Sequence, residues 1–144
     1  MPDIYHTFTI DVAMENVFWG VSTSNGLDRW WTKNSSAIPA RGATYVLDFG
    51  PGYTWKAVVT KYEEGKEFEL QITDADADWM NTKVGFSLTA KGKSVTVVDF
   101  YHTGWPSANE HYKVSCYCWA MYLRILKRYL EGGEEVPYEK RLSV

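Results

Sequence analysis

Near residue 105 the spacing of apolar side chains changes from every second residue to every third or fourth, and this switch divides the chain into a region of strands and one long terminal helix. Between Pro106 and Gly132-Gly133, the residues Tyr112, Cys116, Trp119, Leu123, Leu126 and Leu130 recur at helical intervals. Met121, Tyr122, Ile125 and Tyr129 widen that stripe, while Arg124, Lys127, Arg128 and Glu131 form a polar face. Lys127 and Arg128 suit the negative end of the helix dipole, and the two glycines supply the stop. Packing against one sheet would need a narrower stripe, so this helix either lines a pocket or meets another chain.

Upstream of the switch the pattern is that of short strands. Ile4, His6, Phe8 and Ile10 alternate with Tyr5, Thr7 and Thr9, which predicts a first strand with one buried face. Ala13 to Val21 places Met14, Val17, Phe18 and Val21 at helical spacing, with Asp11 positioned to cap it. A second short helix or turn leads to Leu27-Asp28-Arg29-Trp30-Trp31, and Thr32 to Gly42 reads as loop. Strand-like runs follow over Tyr45–Phe49, Tyr53–Tyr62, Phe68–Ile72, Val84–Leu88 and Val95–Thr103, separated by Gly50-Pro51-Gly52, Glu63-Glu64-Gly65-Lys66 and Lys91-Gly92-Lys93 among other turns. About six strands with short connections favour an antiparallel sheet, because parallel pairing needs long crossovers. The expectation is an α+β fold: a curved antiparallel sheet, two short helices after its first strand, and the long helix packed over it. With no linker, repeat or low-complexity tract, residues 1–144 form a single domain.

Charge and motifs exclude several classes of function. A formal charge of -3 leaves no basic footprint for a nucleic acid. No run approaches the roughly 18 apolar residues of a membrane span, and the N-terminus lacks the features of a signal peptide, so a cytoplasmic protein is expected. Cys116 and Cys118, two residues apart on a helix, diverge around its axis and cannot easily bridge; with no other cysteine to complete a zinc site they read as core residues. Asp74, Asp76 and Asp78 imitate the start of a calcium loop, but Trp79 and Gly85 stand where its Gly and Glu would be, which leaves a solvated acidic turn. His6, His102 and His111 are too scattered in sequence to suggest a metal site, and no nucleophile elbow, phosphate loop or dinucleotide fingerprint occurs. Neither metal nor cofactor is expected. Aromatic residues at 16% suit pocket linings and interfaces, and equally a plain core.

Three strings, in order, resemble the family of the activator of heat-shock protein 90 ATPase homologues. They are Leu27-Asp28-Arg29-Trp30-Trp31-Thr32, then Thr96 to Trp105 with its His102-Thr103-Gly104-Trp105 ending, then Cys118-Trp119 through Leu130-Glu131-Gly132-Gly133. The resemblance covers about 130 residues and implies the START-like (SRPBCC), helix-grip fold. It also implies a cavity for a small apolar or amphipathic molecule or lipid, since members of that superfamily bind such ligands and some act as cyclases. Cys118 departs from the Gly that usually precedes the Trp, which implies a displaced helix or a reshaped cavity end.

The expected site is a pocket of roughly 300 to 1,000 Å³ between sheet and terminal helix. Phe8, Ile10, Val84, Phe86, Val98 and Phe100 would form the sheet side of its wall, and Trp119, Tyr122, Leu123 and Leu126 the helix side. His102, which shares strand parity with Thr96, Val98 and Phe100, would point inward as the polar contact, with Trp30 stacking on the ligand. His102 also admits a structural reading. A cyclase or hydrolase using His102, helped by Tyr122, is the enzyme alternative, although no carboxylate on the same strand face orients that histidine. In a third reading the broad helix stripe contacts a second copy of the chain or a chaperone.

Overall fold

In the computed structural model, which describes residues 1–143, the alternating segments become strands β1 (Ile4–Ile10), β2 (Asn34–Ser36), β3 (Thr44–Asp48), β4 (Thr54–Glu63), β5 (Glu67–Asp74), β6 (Lys83–Ala90) and β7 (Thr96–Thr103). Helices α1 (Met14–Ser22) and α2 (Ser24–Leu27) follow β1, and α3 (Glu110–Gly132) follows β7. The strands form one antiparallel sheet in the order β1-β7-β6-β5-β4-β3-β2. Every connection except β1 to β2, which contains α1 and α2, is between neighbours, so short turns suffice. Register shifts between Lys56 and Ala57 and between Val59 and Lys61 fall in the middle of the sheet, where bulges of this kind bend it.

The sheet has seven strands where about six were expected. The extra one, β2, lies inside the stretch read as loop. Its Asn34-Ser35-Ser36 has no apolar alternation to betray it; pairing with Val46, Leu47 and Asp48 holds it in place, and the Ser35 hydroxyl donates to Asp28 Oδ1 at 2.9 Å. The expected cap of α1 also differs. Ala13 is the N-cap, without a side-chain bond, and the N–H of Asp11 instead donates to Glu131 Oε2 at 2.8 Å. Asp11 lies two residues too early, because the Ala13 carbonyl already accepts from Asn16 and Val17.

Helix α3 is bounded by strong local signals. The Asn109 side chain accepts from the N–H of Tyr112 at 2.9 Å, and Gly133 adopts φ 70°, the left-handed conformation that releases the chain after the last turn. Residues beyond it fold back: a short 3-10 turn, Tyr138–Ser143, is anchored by the buried Arg141, whose guanidinium donates to the carbonyls of Thr32 at 3.0 Å and Asp28 at 2.6 Å. Strand parity holds across the sheet. Ile4, His102, Val84, Leu70 and Val59 form one register row on the concave face, all buried. Among the described residues no helix is long and apolar enough to cross a membrane.

Candidate functional site

His102 points inward as its parity requires and is fully buried. Both ring nitrogens are engaged. Trp119 Nε1–H donates to Nδ1 at 3.0 Å, and since an indole can only donate, Nδ1 must be the bare nitrogen. Nε2–H then donates to Thr82 Oγ1 at 2.9 Å, and the Thr82 hydroxyl donates in turn to the Trp79 carbonyl at 2.6 Å. Burial, with a smaller contribution from His111, pushes the His102 pKa down to about 3. A neutral imidazole closed on both sides joins strand, helix and the β5–β6 connection. It offers no free nitrogen to a substrate.

The centre of the space between sheet and helix, where the pocket was expected, is filled, and open volume remains along β1 and α3. Trp30, Phe86, Phe100 and Trp119 pack in sequence with ring centroids 5.9, 5.3 and 4.6 Å apart. Trp30 is wholly buried, and its indole donates to the Gly20 carbonyl at 2.8 Å rather than to a ligand. Ile10, Val84, Val98 and Leu126 are likewise packed core. Phe8 and Leu123 line a separate groove of about 520 Å³ between β1 and α3 that also holds His6, Arg124 and Lys127. Of the expected wall, Trp119 and Tyr122 alone border the cleft described next.

That cleft, of about 420 Å³, opens at one end of the sheet. Four separated stretches build it: the loop after α2 gives Trp31; the β3–β4 hairpin gives Phe49, Tyr53 and Trp55; the β5–β6 connection gives Asp76 and Trp79; and the first half of α3 gives His111, Val114, Ser115, Cys118, Trp119 and Tyr122. The folded-back C-terminal segment adds Tyr138, whose hydroxyl donates to the Phe49 carbonyl at 2.9 Å. Five of the rings form a closed circuit. From Trp31 to Phe49, Trp55, Trp79, Trp119 and back to Trp31, successive centroids are 5.5, 5.3, 5.0, 5.9 and 5.1 Å apart. Trp79 Nε1–H has no hydrogen-bond partner although it is buried. Single residues in the sequence could have suggested this wall, since Phe49, Tyr53 and Trp55 flank a tight turn with apolar bodies that alternation alone does not require.

The sequence profile described as "Activator of Hsp90 ATPase homolog 1-like protein" matches residues 11–131. The chain belongs to this family. No curated protein matches the sequence. Among solved structures, the Aha1 dimer from Colwellia psychrerythraea is 28% identical, with a TM-score of 0.83 over 93% of this chain and 99% of that one. Proteins from Staphylococcus saprophyticus and Bacillus halodurans share the fold at 19% and 22% identity, with TM-scores of 0.78 and 0.75. The alignments cover 94% and 91% of this chain and 96% and 98% of those.

In this member of the Activator of Hsp90 ATPase homolog 1-like family the cleft carries little charge. Burial raises the Cys118 thiol and pushes Tyr122 up to about 12, so both stay protonated at neutral pH. Cys118 borders the cleft instead of the inner core, the place where its extra bulk over Gly is accommodated. Among the described residues no Lys or Arg lines the cleft, and Asp76 is its one carboxylate. His111, on the rim, meets Asp78 through Nδ1 and Oδ2 at 3.1 Å, an orienting contact of the kind that His102 lacks. The acidic turn is thus more than solvated, since Asp78 also accepts from Asn109 Nδ2 at 3.3 Å and Trp79 enters the core. Among the described residues no three His, Cys, Asp or Glu side chains gather as a metal site would require.

Proposed function

We propose that the chain is a cytoplasmic binding module whose aromatic cleft encloses one small apolar or amphipathic molecule. The observation that carries this reading is a solvent-open cleft of about 420 Å³ walled by eight aromatic side chains, whereas the groove of about 520 Å³ between β1 and α3 is lined mostly by polar side chains. That volume lies within the usual range for small-molecule sites, and a few polar groups among apolar walls are their usual composition. Titration with the neutral probe N-phenyl-1-naphthylamine tests the reading. One saturable site is expected, weakened at least tenfold by Trp55→Ala and unaffected by Phe8→Ala in the other groove. Absence of saturation, or dependence on Phe8 instead, would exclude the aromatic cleft.

Self-association is the second reading. The Colwellia relative is described as a dimer, and here the edge strand β1 presents an exposed Tyr5 beside the unfilled groove along α3. Sedimentation equilibrium at micromolar concentration should then report twice the chain mass, and Tyr5→Lys should lower it to one; a single-chain mass throughout removes this reading.

A further inference from the structure

We propose that the cleft selects a positively charged alkylammonium head, such as a trimethylammonium group; this rests on the binding reading above and narrows its ligand class. Two observations point the same way. First, neighbouring planes in the five-ring circuit are inclined by 60°, 64°, 53°, 29° and 43°, so the rings form the tilted walls of a box. A flat arene fits best between parallel walls. A roughly spherical group with methyls on every side can touch inclined faces together, and a cation within about 6 Å of several ring centroids gains from each quadrupole.

Second, the lining holds the wrong charges for an anion. Among the described residues Asp76 is the only carboxylate on the wall, and no lysine or arginine accompanies it. His111, the one basic side chain on the rim, is held against Asp78. Arg141, whose guanidinium lies 5.4 Å from the Tyr138 ring, does not line the cleft and spends its donors on the backbone carbonyls of Asp28, Thr32 and Val136. Aromatic faces and one rim carboxylate match a small molecule with a cationic head.

Choline and its neutral isostere 3,3-dimethyl-1-butanol have nearly the same shape and differ in charge, so their comparison isolates the cation. Binding is followed by proton chemical-shift changes of the tryptophan indole N–H groups in the intact protein. Choline is expected to bind at least tenfold more tightly than the isostere, and Asp76→Asn, at an exposed position, to narrow that difference several-fold. Equal binding of the two, or preference for the isostere, overturns the inference. N-phenyl-1-naphthylamine separates the two levels. If it saturates the cleft while choline does not bind, the cationic head is wrong and the cleft reading survives; if neither binds, both fall.

Discussion

Near neutral pH the imidazole of His102 is uncharged in the folded chain, because burial and the neighbouring His111 hold its pKa at about 3 while the unfolded chain titrates near the ordinary 6.5. Between those values the unfolded chain binds a proton that the folded one refuses. Stability from this group is therefore complete above pH 6.5 and falls as the pH drops toward 3, by about 1.4 kcal/mol per pH unit. His102→Leu should lose that slope. At pH 7 it should also cost about 1–3 kcal/mol, since the indole N–H of Trp119 would be stranded in the interior. Urea titrations at neutral and mildly acid pH check both, and an unchanged slope in the variant would assign the acid sensitivity to other groups. Parity along β7 was enough to turn this residue inward. It could not distinguish a pocket wall from a packed core, because the partners that enclose His102, namely Trp79, Thr82, Trp105 and Trp119, come from outside its own strand.

Elements whose signal is periodic were readable, and those defined by contact were not. The six longer strands and helices α1 and α3 announced themselves by spacing, since a buried face must repeat every two residues in a strand and every three or four in a helix; four-residue α2 was legible only as a short helix or turn. Polar β2 is held by its neighbour β3 and has no period of its own. The junction of α1 and α2 is another feature of contact. Thr23 ends one helix and caps the next, accepting from the Gly26 N–H at 3.0 Å, and the turn is so tight that a Cβ at Gly26 would stand 2.3 Å from the Trp19 carbonyl oxygen and 2.7 Å from Gly20 Cα. Both obstacles are backbone, so neither can rotate away. Gly26→Ala should cost at least about 2 kcal/mol as the helices are forced apart. At Gly132, where an added Cβ meets nothing, the same change should stay within about 1 kcal/mol. Thermal melts of the two variants decide; similar effects at both positions would mean that the close approach at Gly26 carries no special cost, since Ala is the better helix former.

At the scale of the whole molecule the sheet joins the beginning of the chain to its end, because β1 pairs with β7 and Ile4 lies opposite His102. Neither β1 nor α3 has a core of its own, so one cooperative transition is expected, with far-ultraviolet dichroism and tryptophan emission falling together in denaturant. Separated transitions would show that part of the structure melts alone. The family's fold was legible from three strings spread over the chain, whereas the cleft was not: strand and helix faces implied a central cavity, but the bulk of Trp30, Trp105 and Trp119 fills that centre and leaves space at the end and along β1 and α3. The same crowding has an optical consequence. All the tryptophans except Trp19 form one connected set through Trp30, Trp31, Trp119, Trp79, Trp55 and Trp105, with neighbouring centroids between 5.0 and 6.3 Å apart. Excitation absorbed by one indole in such an array migrates to the others before it is emitted, so the set glows or dims as a unit, and a molecule resting against Trp55 alone would alter light that began in Trp30.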